Sequence, residues 1–191
     1  MSTPTESKFK DDPRFQAHMR VLGDICAVWA DLEYRVNQAI WELSNIEMSA
    51  GACITAQIGQ PAGRFKALIA LVHLRGGEPQ LLTALNQYSR KVEGLGRQRN
   101  RFVHDVWSAK KDGTVQRLNV TADRELQFGH VTTPKGDLEK LRQQIFAALQ
   151  EFTPLHERIL DELPPWPRTQ FEQSDGIRMV PLDQSSADEE R

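Results

Sequence analysis

Apolar residues recur at alternating steps of three and four early in the chain: Leu22, Ile25, Trp29, Leu32, Val36, Ala39, Leu43. That spacing draws one stripe down a long α-helix and suits a helix–helix seam. Trp29 and Trp41 are read as packing residues of this helix. Pro13 is placed to open it, with Asp12 as the N-cap. The small residues from Ser44 to Gly63 read as a connection with room for a short helical turn. A second helix over Pro61–Leu74 turns Phe65, Leu68, Leu71 and Val72 inward and stops at Arg75-Gly76-Gly77. A third starts at Pro79 and carries Leu81 or Leu82, Leu85, Tyr88, Val92, Leu95, Phe102 and Val106 along one face. Gly94 and Gly96 lie inside it. Each weakens a helix by about 1 kcal/mol relative to Ala, so the pair predicts a kink or a close helix contact.

The period then changes. Lys110-Lys111-Asp112-Gly113 is a turn, and Thr114–Val120 and Glu125–Val131 read as two short strands around Thr121-Ala122-Asp123-Arg124. A last helix runs from Pro134 or Lys135 to Leu163, with Leu138, Leu141, Ile145, Leu149, Phe152, Leu155 and Ile159 inward and a kink expected at Pro154. The expected fold is all-α, a bundle of four main helices over residues 13–163 with a β-hairpin insertion at about 108–132, before the last helix. Residues 1–12 are expected to be disordered, and 164–191 are read as a flexible tail.

Composition narrows the function. A length of 191 residues fits one domain with a tail. The net charge of −2 gives no overall basic character, so any contact with nucleic acid must come from a local patch. Two isolated cysteines, Cys26 and Cys53, are expected as small core residues in a reducing cytoplasm. The polar start is no signal peptide, and no apolar run is long enough to span a bilayer. His18, His73, His130 and His156 are scattered without ligand spacing, and Gly94-Leu95-Gly96 lacks the context of a phosphate loop. The expectation is therefore chemistry without metal or cofactor.

That chemistry points to Gly96-Arg97-Gln98-Arg99-Asn100-Arg101-Phe102-Val103-His104-Asp105. On a helix Asn100 lies beside His104, Arg97 shares the face of His104, and Arg99 stands about 140° round from it. Histidine moves protons near neutrality, and arginine grips phosphate oxygens with a planar fork. Asparagine orients a phosphate, a ribose hydroxyl or the imidazole. RNA brings its own nucleophile, the ribose 2′-OH, so its cleavage needs proton transfer and charge stabilisation but no obligatory metal. His104 would be the general acid or base and Arg99 would stabilise charge on phosphorus, with Asn100 orienting and with Arg97 and Arg101 binding substrate. One such set lacks a second acid–base group, which a two-fold homodimer would supply. The alternative reading is a solvated helix face, its arginines paired with Glu93 and Asp105. Glu33, beside the first helix's seam, is read as a surface carboxylate that also has reach toward the site.

Arg99-Asn100-Arg101-Phe102-Val103-His104 resembles the Arg-Asn-x-x-x-His motif of HEPN (higher eukaryotes and prokaryotes nucleotide-binding) ribonucleases. Arg97 with His104 also fits the motif, by a longer spacer, and Arg99 is favoured for its adjoining Asn. The resemblance covers about residues 13–163 and implies a helical bundle, homodimerisation with the motifs facing each other, and cytoplasmic cleavage of RNA. It also implies a toxin–antitoxin or phage-defence setting, with an antitoxin as a partner. Asp105 departs from the small residue many such enzymes carry after the His. Two functions follow from the sequence. One is a metal-independent endoribonuclease. The other is a catalytically inactive helical module that binds nucleic acid or a partner protein.

Overall fold

Asp12 starts the first helix, α1 (Pro13–Leu43), by accepting the Arg14 amide at 2.8 Å. The Arg14 side chain and amide hold the Asp12 carboxyl below the usual carboxylate range. The computed structural model describes residues 11–123, 125–164, 169–174 and 176–181. Along α1, Ile25, Trp29, Leu32, Val36, Ala39 and Leu43 are buried as the spacing predicts, while Val21 rather than Leu22 closes the stripe.

The small-residue connection contains a full helix, α2 (Met48–Thr55). Glu47 caps it by accepting the amides of Ser49 and Ala50. Small residues serve contact here: a Cβ on Gly51 would lie 2.4 Å from the Trp41 ring, whose indole N–H donates to Thr55 Oγ1 at 3.1 Å. The cysteines depart from expectation. Cys26 is half-buried and Cys53 is exposed on α2, so neither is a core residue.

Helices α3 (Pro61–Leu74) and α4 (Pro79–His104) are separated by Gly76 at φ 75°, the left-handed stop that glycine adopts without strain. Helix α5 (Lys135–Glu162) continues through Pro154 as one element. Helix α1 packs on α3, α4 and α5, and α4 packs on α3 and α5, which encloses one core. Phe65, Tyr88 and Phe152 meet at its centre, with neighbouring ring centroids 5.7 and 5.5 Å apart. The Tyr88 hydroxyl donates to the Ala148 carbonyl at 2.7 Å. Burial, aided by the charge of Glu151, pushes its phenol up and keeps it a donor.

The insertion is larger than a hairpin. Three antiparallel strands, β1 (Val106–Ala109), β2 (Val115–Asp123) and β3 (Glu125–Thr132), lie in that order. Val106 is therefore a strand residue, 66% exposed, and not the last turn of the third helix. Thr121, Ala122 and Asp123 continue β2 instead of turning, and Arg124 lies outside the described residues. In register, Val106 faces Leu118, Leu118 faces His130, and Val120 faces Phe128, so these share the outer face. Trp107 and Arg117 are paired on the inner face. His18 ties this sheet to α1, with its ring nitrogens 2.7 Å from the Arg14 carbonyl and 3.1 Å from that of Thr133.

In the segment read as a tail, β4 (Thr169–Ser174) pairs antiparallel with β5 (Gly176–Pro181). The expectations for residues 1–10, 165–168 and 182–191 lie outside the described residues. Among the described residues, no helix is long and apolar enough to cross a membrane.

Candidate functional site

The site is built where α4 stops. Asp105 leaves the helix in an extended conformation, φ −71° and ψ 148°, while its amide still donates to the Arg101 carbonyl at 3.2 Å. The Trp107 indole N–H reaches back from β1 to the Phe102 carbonyl at 2.7 Å. A strand residue thus satisfies one of the carbonyls that a helix end leaves open. Arg101 and His104 in the last turn favour the negative end of the helix dipole.

The structure sorts the motif residues onto different sides of α4. Arg97, Asn100, Arg101 and His104 are exposed. Arg97 and His104 lie within about 20° of each other around the helix, and Asn100 lies about 40° from His104 on its other flank. Among the described residues, the His104 imidazole makes no hydrogen bond or ion pair. Arg99 lies on the core side. It is half-buried, its Cζ stands 6.0 Å from the Trp29 ring centroid, and its Nη1 donates to Asn100 Oδ1 at 3.0 Å. Its Nε is buried without a partner. Within one chain Arg99 is joined to Asn100 and makes no hydrogen bond with His104 among the described residues, whereas Arg97 and His104 share an open face.

The carboxylates expected to pair with these arginines are engaged elsewhere. Asp105 forms an ion pair with Arg117 of β2, both side chains largely shielded at 15% and 12% exposure. The Arg117 guanidinium also lies over the Phe102 ring, 5.3 Å from its centroid. Glu93 accepts a bond from Ser89. Glu33 pairs with Arg64 of α3 at 3.0 Å and does not reach the motif. No group of three or more His, Cys, Asp or Glu side chains suited to a metal ion occurs among the described residues.

Arg117 is the residue the sequence reading overlooked. It sits at an inward position of a strand, and a charged residue there needs a partner. That periodicity was the available signal; the identity of the partner was not, because it depends on the β1–β2 register.

Compared with known proteins, the chain matches no family model, no curated protein and no solved structure.

Proposed function

We propose that this chain is a metal-independent endoribonuclease of the HEPN type, acting as a cytoplasmic homodimer in a toxin or phage-defence setting with an antitoxin as partner. The carrying observation is an exposed His104, without a hydrogen bond or ion pair among the described residues, on the same face of α4 as Arg97 and Arg101, with Asp105 drawn away to Arg117. In this reading His104 takes the proton from a ribose 2′-OH as its oxygen attacks the adjacent phosphorus. The His104 of a second copy returns a proton to the departing 5′ oxygen. Arginine stabilises the charge that develops between them.

The carboxyl end of a helix disfavours an anion by about 0.3–1 kcal/mol. A charge-assisted hydrogen bond contributes about 1.5–3 kcal/mol. One well-placed arginine outweighs the dipole, so the location is compatible with phosphate.

The reading is tested by incubating purified protein with labelled RNA in chelator. Cleavage is expected from the unaltered chain, with a loss of about 100-fold or more in His104→Ala. Arg97→Ala and Arg99→Ala then decide which arginine serves: the essential one loses cleavage to a similar degree. Unchanged cleavage in all three variants removes this site from the reaction. A second reading, an inactive helical module that binds nucleic acid or protein, is favoured by the engagement of Arg99 with Trp29 and Asn100. It predicts RNA binding or partner capture with no cleavage by any variant.

A further inference from the structure

We propose that the exposed face of α4 is a phosphate track for one strand of RNA, running from Arg90 past Gly94 to Arg97 and Arg101 and ending at His104. The proposal rests on the ribonuclease reading only for the place where the strand ends. Its basis is the order of residues along the helix. Positions 90, 94, 97, 101 and 104 follow steps of four and three, which confines them to about 80° of arc over an axial length of about 20 Å. Arg90, Arg97, Arg101 and His104 are all exposed. Among the described residues, none of these three arginines has an ion-pair partner.

Two nearby carboxylates, Glu151 and Asp105, are paired with cations outside the row. Glu93, next to Gly94 and three and four residues from Arg90 and Arg97, is half-buried; it accepts a bond from the neutral Ser89 hydroxyl and, among the described residues, forms an ion pair with neither arginine. Glu151 of α5 holds Lys91, on the adjoining flank. Asp105 holds Arg117. Three guanidinium groups with no ion pair among the described residues, set against the one carboxylate of Glu93, leave the row net positive in a chain whose overall charge is −2. Counterion release from such a line favours a polyanion.

Gly94 gives the track its shape. A Cβ added there would meet only the Arg97 guanidinium, at 3.9 Å, so nothing in the fold requires glycine at this position. Its helical cost is real nonetheless. A missing side chain in the middle of a cationic row lets a sugar–phosphate backbone lie against the helix. The row is one side chain wide, which suits a single strand. Duplex RNA is contacted across a broad minor groove and would need a second row.

The test uses the full chain carrying His104→Ala, so that bound RNA survives, with a fluorescein-labelled ten-nucleotide uridine RNA in chelator, read by anisotropy across a salt series. Arg90→Ala is expected to weaken binding about tenfold and to reduce the slope of log affinity against log salt by about 0.7, the value for one lost phosphate contact on a single strand. Gly94→Gln is expected to weaken binding at least as much while raising the thermal midpoint, which separates blockage from misfolding. Duplex RNA of the same length and phosphatidylserine vesicles are expected to bind more weakly than the single strand. Binding unchanged in both variants, or stronger binding to either competitor, overturns the track. If the variants behave as expected but the unaltered chain cleaves no RNA, the track stands and the ribonuclease reading falls. If the unaltered chain cleaves a long RNA, and Arg90→Ala and Gly94→Gln made with His104 intact cleave it equally well, the track falls and the ribonuclease reading stands.

Discussion

Arg117 determines what kind of neighbour Asp105 is to His104. With the ion pair in place, the carboxylate next to the histidine is neutralised and directed toward the sheet. Arg117→Ala would leave that carboxylate shielded from water and unpaired. The cost lies between that of an exposed pair and the 3–5 kcal/mol of a fully buried one, so about 2 kcal/mol is expected, measurable as a lower urea midpoint. The freed negative charge should also weaken RNA binding, and adding Asp105→Asn should restore it. If binding stays weak in the double variant, the effect came from lost packing on Phe102. The sequence marks Asp105 as the unusual residue of the motif and leaves Arg97 and Arg99 as competing candidates. What separates those two is the Trp29 ring beneath Arg99, a contact between helices that are seventy residues apart in the chain.

The helices were readable because burial on one side imposes a period of 3.6 residues, and α3 begins and ends where its Pro and Gly signals place it. Strand β1 was not readable. Val106 follows Phe102 by four residues, so it extends the helical stripe; the helix ends because Asp105 turns extended, β1 pairs with β2 and the Trp107 indole takes the Phe102 carbonyl. The two glycines of α4 separate by environment. A Cβ at Gly96 would meet the Trp29 ring at 3.0 and 3.3 Å, whereas Gly94 faces open space apart from Arg97. Gly94→Ala should stabilise the protein by about 1 kcal/mol through helix propensity. Gly96→Ala gains the same propensity but overpacks the α1–α4 contact at a cost of about 1–3 kcal/mol, so it should be neutral to destabilising. Paired urea melts with opposite shifts would establish the contrast; equal stabilisation would refute it.

The start of α1 is where pH acts on an element. Because the folded Asp12 carboxyl is held below its ordinary value, its contribution is present above that value and is lost as pH falls through the depressed one. Fraying of α1 is therefore expected below about pH 4. Asp12→Asn should remove this part of the acid response, which amide exchange of the first helical turn would report.

For the molecule as a whole, the helical body was foreseen and the three-stranded sheet only in part, because period-two alternation reports strands but not how many neighbours a sheet collects. The outer face of that sheet has a practical consequence. Val106, Val120, Leu126 and Phe128 stand 52–73% exposed on it, and among the described residues β3 is an edge strand of the sheet. Contiguous apolar side chains beside an open edge favour edge-to-edge stacking of molecules. Turbidity should rise with concentration and salt, and Phe128→Lys should suppress it while changing the unfolding free energy from urea melts by no more than about 0.5 kcal/mol. The colloidal behaviour of the protein would then be set by its sheet, while any dimer that pairs two α4 helices would be set by charge. If RNA lies along α4 as proposed, high salt would therefore release it while promoting precipitation of the protein.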